Sequence, residues 1–320
     1  MRSIRLHAEL LAAMLIGAAM PWAANADAET KPRVVAANTI LADMVAQVAG
    51  PAVQVHCLVP SGVDIHGFDP KPGDVAQLAE CDLVVSNGAG FEPWLGKLIE
   101  AAGFSGPHLE ASRGVPLLQR AEDDAASPGE HKHAHGRGAS PGSATTVDPH
   151  AWQNPVNGIR YVLNIRDVLV QIVPDARTGI ERRAQLYVSQ LEVLHAWMHR
   201  IFATISPDDR VIVTSHDSFA YLAQVAGLEI IPVRGLDSRQ EPDARRIATL
   251  VDELRTRNVR AIFVEAVSNP KMLQQLARDT GATIGGELFS DSLGPAGSGA
   301  DSYLGMLREN ALAVAGALER

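Results

Sequence analysis

Residues 34–59 read VVAANTILADMVAQVAGPAVQVHCLV, and this stretch decides the fold. Residues 34–37 form a short apolar run suited to a strand. From Ile40 to Val48 the apolar positions recur at helical spacing, and the pattern stops at Gly50. Residues 53–59 are rich in β-branched side chains and predict a second strand. Strand, helix and strand in so short a stretch make a βαβ unit, whose two strands must run parallel.

The same rhythm continues outward. Residues 72–79 fit a helix with proline in its first turn, and 82–86 (DLVVS) fit a strand. In the second half, 210–214 (RVIVT), 228–233, 261–265 (AIFVE) and 282–289 predict strands. Residues 218–226, 244–257, 270–280 and 302–318 predict helices between and after them. One stretch is unusually long: over 177–205, Ile180, Leu186, Val188, Leu191, Leu194 and Met198 recur at roughly helical spacing with no proline. Such a helix exceeds the usual length and suits a bridge. The expectation is an α/β fold, two lobes with mainly parallel sheets joined by one long bridging helix. The corresponding boundaries are an N-terminal lobe at 27–176, the linking helix at 177–205 and a C-terminal lobe at 206–320.

The first 26 residues have a separate character. Arg2 and Arg5 precede an almost purely apolar run at 10–19, and Ala24-Asn25-Ala26 offers small residues for cleavage, the signature of a signal peptide. That run is shorter than the roughly 20 residues needed to span a bilayer. No cysteine stands at the expected cleavage point, so a freely soluble periplasmic protein is expected. The chain carries 28 Lys and Arg against 37 Asp and Glu, a net charge of −9. This balance argues against a nucleic-acid partner, which would require a basic face, and suits a small cation. Residues 121–147 are rich in Gly, Ser and Ala, lack apolar periodicity and are expected to be a flexible surface loop. Cys57 and Cys81 are the only cysteines. Each sits beside a separate strand, so two buried thiols are expected rather than a disulfide or a thiolate site.

Four polar residues share one topological placement. His66 (SGVDIHGFDP) follows the strand at 53–59, and His150 (TVDPHAWQNP) follows the loop. His216 (TSHDSF) caps the RVIVT strand, and Asp291 (ELFSDSL) ends the last one. Ligands of open α/β sheets bind at the carboxyl ends of strands, so a cleft between lobes collects all four. Three neutral imidazoles and one carboxylate form a four-ligand, nitrogen-rich shell suited to tetrahedral zinc. Each imidazole then requires a partner for its second nitrogen, with Asp64, Asp148, Asp217 and Glu265 as candidates. His195 and His199 share a face of the long helix and read as solvated; His56 and His108 read as structural.

The segments GVDIHGFDPKPGDVAQL, VDPHAWQNP, VTSHDSFAYLAQVAGL and LFSDSLG, in this order, resemble the metal-binding solute-binding proteins of zinc and manganese ABC importers. The resemblance runs from about Val34 to the C-terminus, apart from the loop. It implies two α/β lobes on a rigid helix, metal held between them by His66, His150, His216 and Asp291, an inner-membrane ABC permease as partner, and no enzymatic activity. Several manganese-binding members carry glutamate at the position of His216, so histidine here favours Zn2+. Zinc-importing members often bear a His-rich loop, which gives His131, His133 and His135 the role of a weaker second site. The expected protein is a monomer that does not span the membrane. A manganese- or iron-type capture protein and a zinc-dependent hydrolase are the alternatives. A fourth protein ligand at Asp291 opposes the hydrolase, because catalytic zinc keeps a position open for water. Two departures from the family pattern are Gln153-Asn154-Pro155, where an acidic-Pro pair is common, and Gln190 in the linking helix, where asparagine is common.

Overall fold

Two four-stranded parallel sheets carry the molecule in the computed structural model, which describes residues 31–121, 145–236, 239, 242–266 and 270–319. The expected signal peptide at 1–26 and His131, His133 and His135 lie outside the described residues. The opening βαβ unit forms as predicted: β1 (Arg33–Asn38), α1 (Thr39–Ala49) and β2 (Gln54–Val59). Asn38 ends the strand and caps the helix, its Oδ1 accepting from Leu41 N at 2.9 Å. Then follow α2 (Pro72–Ala79), β3 (Leu83–Ser86), α3 (Leu95–Ala101) and β4 (His108–Glu110), giving the order β2-β1-β3-β4.

After a two-stranded antiparallel ribbon, β5 (Gln119–Ala121) with β6 (Thr145–Val147), come α4 (Pro155–Ile172) and the long α5 (Arg177–Ala203). The second sheet contains β7 (Val211–Thr214), β8 (Glu229–Pro232), β9 (Ala261–Glu265) and β10 (Thr283–Leu288), in the order β10-β9-β7-β8. Its helices are α6 (Ala220–Ala226), α7 (Ala244–Thr256), α8 (Lys271–Thr280) and α9 (Tyr303–Leu318). Pro232, which has no N–H for a ladder, lies on edge strand β8.

The ribbon corrects the expectation of one uniform loop over 121–147. Thr145, Thr146 and Val147 are β-branched and pair with Ala121, Arg120 and Gln119. Three residues are too few to register as periodicity, and the low-complexity composition beside them dominates the reading. Cys57 and Cys81 are free and partly buried. Cys57 is on β2, Cys81 leads into β3, and β1 runs between these strands. Two strand spacings amount to about 9–10 Å, beyond the roughly 7 Å over which a disulfide forms. Burial pushes the Cys57 thiol up to about 12.

The long helix has 27 residues, about 40 Å at 1.5 Å per residue. Its first part, through Ile180, Ala184, Tyr187 and Leu191, belongs to the core of the first sheet. Its last turns, through Met198 and Phe202, belong to a core on one face of the second sheet. A third core, around Val213, Leu250, Ile262 and Leu273, covers the other face. The first core also receives Phe289, Leu293, Tyr303, Met306 and Leu307 from the far end of the chain. That crossing is pinned by Ser61 Oγ donating to Leu293 O (2.5 Å), Leu293 N to Thr39 Oγ1 (2.8 Å) and Tyr303 N to Asp43 Oδ2 (2.9 Å).

Helices α4 and α9 meet at Gly158, where an added Cβ would stand 2.3 Å from the Tyr303 hydroxyl oxygen. That ring is fully buried and donates to Trp152 O at 2.5 Å. We expect Gly158→Ala to cost about 1–3 kcal/mol by overpacking, measurable by urea unfolding. A neutral substitution would show that the two helices separate freely.

Candidate metal centre

Each of the four predicted residues emerges from a strand end held by its own local contacts. The His66 loop leaves β2, with Asp64 Oδ1 accepting from His66 N at 2.9 Å and Trp94 Nε1 donating to Ile65 O at 2.9 Å. His150 follows β6; Asp148 Oδ1 accepts from both its backbone N (2.9 Å) and its ring Nδ1 (2.8 Å). His216 follows β7. Glu265, at the end of neighbouring β9, accepts from its backbone N through Oε1 (2.9 Å) and faces its Nδ1 through Oε2 (2.5 Å). Asp291 follows β10, on a loop whose Ser290 O accepts from Trp152 Nε1 and Gln153 Nε2, both at 2.9 Å.

These segments bring four side chains to one point, with one ligand atom from each lying within 4.8 Å of the others. His66 Nε2 is 3.6 Å and His216 Nε2 3.3 Å from Asp291 Oδ2, while His150 Nε2 is 3.5 Å from Asp291 Oδ1. All three Nε2 atoms and both Asp291 oxygens are buried without a hydrogen-bond partner. A buried polar atom left unpaired costs about 1–3 kcal/mol, and here five converge. Asp148 and Glu265 orient the Nδ1 side of two rings, which leaves the Nε2 atoms facing inward. The donor set thus matches a divalent cation: +2 would meet Asp291 directly and Asp148 and Glu265 one bond further out. His150, His216 and Asp291 are fully buried, whereas His66 keeps some exposure.

The four groups also set one another's charge. Burial disfavours the His216 imidazolium, but Glu265 and Asp291 outweigh it and hold its pKa well above the ordinary imidazole value. Burial likewise works against ionised Asp291, yet His216, with His66 and His150, holds that carboxyl well below its usual range. In the metal-free site an ionised Asp291 is thus paired with a protonated His216, and an entering cation takes the place of that proton.

Several neighbours were not singled out in the sequence. Phe91 is buried and packs edge-on against His66 (5.1 Å), His150 (5.5 Å) and Trp152 (4.7 Å). Gln153, one of the departures, is buried and ties the Asp291 loop to the first half. Asn154 accepts from Val156 N at 2.9 Å and caps α4, a task asparagine and aspartate perform equally. Arg120 lies behind the histidines, 2.6 Å from Asp217 Oδ1 and 3.8 Å from Asp148 Oδ2. Of the other histidines, His108 bonds Ser86 Oγ at 2.8 Å. On α5, His199 is exposed and His195 half-buried, with their Nε2 atoms 3.1 Å apart.

Beneath Phe91, the buried Glu92 carboxylate accepts from Asn87 N (2.8 Å) and Gly88 N (3.3 Å). Burial raises its pKa from 4.5 to about 7, against the opposing effect of those two bonds. Between these values the folded protein keeps a proton that the unfolded chain has released, so stability falls as pH rises from about 4.5 to about 7. Glu92→Gln should flatten this part of the curve in thermal melts run with chelator from pH 4.5 to 8. An unaltered slope would show that Glu92 titrates normally.

Two parallel α/β halves around a three-imidazole, one-carboxylate cluster define a metal-binding protein of the two-lobed class. The profile of the zinc-uptake complex component A periplasmic family (ZnuA) matches residues 34–317, and the chain belongs to that family. It is 30% identical over 278 residues to the manganese-binding lipoprotein MntA of Halalkalibacterium halodurans, covering 87% of this chain and 85% of that one. It is 29% identical to the manganese ABC transporter substrate-binding lipoprotein PsaA of Streptococcus pneumoniae serotype 4, covering 94% and 93%. Its fold superposes on the periplasmic zinc binding protein TroA of Treponema pallidum with a TM-score of 0.78 at 28% identity, over 91% of this chain and all of that one. The protein is accordingly a metal-binding substrate-binding component of an ABC importer, a transport component and not an enzyme. Among the described residues no helix is long and apolar enough to cross a membrane.

Proposed function

We propose that this chain captures Zn2+ in the periplasm through His66, His150, His216 and Asp291 and delivers it to an inner-membrane ABC permease, acting as a monomer. The observation that carries the assignment is the convergence of three unpartnered imidazole nitrogens on one unpartnered, buried carboxylate. Three nitrogens and one carboxylate favour zinc; manganese, a harder ion, prefers oxygen-rich shells of higher coordination number. The names of the relatives point both ways, towards manganese for MntA and PsaA and towards zinc for TroA. The donor set is therefore the better guide to this chain's cargo. A signal peptide at 1–26 would place the protein outside the cytoplasm, where such capture is required.

Metal competition followed by absorption spectroscopy of the cobalt-substituted protein tests this reading. Zinc should outcompete manganese by orders of magnitude, and cobalt should give the intense bands of a tetrahedral site. Preference for manganese, or the weak bands of an octahedral site, would refute the zinc assignment. Deleting residues 122–144, with His131, His133 and His135, should leave the tight site intact and remove only weaker zinc. Loss of tight binding on that deletion would place a ligand in the loop instead.

A further inference from the structure

Arg120 belongs to no motif, yet its side chain reaches behind both halves of the ligand set. Its Nη2 donates to Asp217 Oδ1 at 2.6 Å, and Asp217 directly follows His216. Its Nε stands 3.8 Å from Asp148 Oδ2, the oxygen of Asp148 not engaged with His150. Both of these atoms are buried and lack a hydrogen-bond partner. The strand that carries Arg120 is fixed at its base: Leu118 N donates to the Tyr221 hydroxyl (2.9 Å), which donates to Asp148 O (2.8 Å), and Asp148 N donates to Leu118 O (2.9 Å). The ribbon, the His150 segment and α6, just beyond His216, are thereby joined in one bonded unit.

We propose that Arg120 is a positioning residue that sets how firmly the site holds its ion. Asp148 and Asp217 are two carboxylates on opposite halves of the molecule, and each acts on a ligand through bond or chain. Without a cation between them they repel at short range in a poorly screened environment. Repulsion drives the His150 and His216 segments apart and widens the gap that the metal closes. Arginine suits the role because its planar fork addresses two carboxylates at once with fixed spacing.

The proposal rests on the four-ligand reading above, and the experiment separates the two. Zinc release into excess chelator is followed in the full chain with Arg120→Gln, Arg120→Lys and the double variant Arg120→Gln/Asp217→Asn. Arg120→Gln should release zinc faster by roughly 10- to 100-fold, the usual effect of losing an outer-shell partner. It should still bind one tight equivalent with an unaltered cobalt spectrum. Arg120→Lys should fall between wild type and Arg120→Gln, and Asp217→Asn should restore slow release by removing one of the repelling charges. A lowered melting temperature with an unchanged release rate, or no rescue by Asp217→Asn, would overturn the clamp. Should Arg120→Gln fail to fold, Arg120→Lys decides alone, and a wild-type release rate in that variant would be fatal to the idea. Loss of the tight equivalent in none of the ligand variants would instead refute the site itself.

Discussion

His216→Ala should abolish the proposed tight zinc binding, with a loss well beyond the 10- to 100-fold typical of outer-shell residues. On the proposed assignment the side chain supplies one of four inner contacts, and its Nε2 lies 3.3 Å from Asp291 Oδ2. The same change also leaves Glu265 Oε2 buried opposite an empty space, so the metal-free variant should melt lower than wild type. His66→Ala removes a less buried ring and should lose affinity with little loss of stability. Chelator competition and thermal melts in parallel distinguish the two effects. Retention of wild-type affinity by either variant would remove that residue from the site. A related consequence concerns selectivity: His216→Glu would bring a second carboxylate against Glu265, and like charges at that distance cannot both ionise when buried. Conversion to a manganese preference should therefore require Glu265→Gln as well, and the single change should weaken every metal.

The second large effect is at Trp152. Its ring is fully buried, packs edge-on against Phe91 (4.7 Å) and His150 (5.4 Å), and donates to Ser290 O beside Asp291. Its own carbonyl accepts from Tyr303. Trp152→Ala should cost about 3–5 kcal/mol through the cavity it leaves, measured by urea unfolding with chelator present. Zinc affinity should fall too, because Ser290 and then Asp291 lose an anchor. A cost below about 1 kcal/mol, within the range of surface substitutions, would show that the seam between the halves is held elsewhere.

Much of this was legible in the sequence because it is local. Alternating apolar runs marked β1, α1, β2, β7, β9 and β10; His216 and Asp291 lie just past the ends of β7 and β10, and His66 lies in the loop after β2. The shortest elements were not legible: β4 and the ribbon have three residues each, below the length at which periodicity shows. Helix α6 begins at Ala220, later than its apolar pattern, because Ser218 N turns back to His216 O at 3.0 Å. Arg120 was illegible for another reason. Its partner Asp217 is 97 residues away, and nothing in a solitary basic residue within a polar stretch reveals that it faces two carboxylates. Hydrophobic patterning identifies which side chains seek burial but not which core receives them. The crossing of Phe289, Leu293 and Tyr303 into the first core was hidden for that reason.

That crossing also orders events in the life of the chain. The hydrophobic interior formed by the first strands is closed by side chains from much later in the chain, through contacts spanning more than two hundred positions. Such long-range closure is slow, and the first core lacks part of its packing until that later segment joins it. Asp291 travels in the same late segment. The proposed set of metal donors is therefore complete only when the first core is sealed, so an incompletely folded chain offers no finished site to the metal.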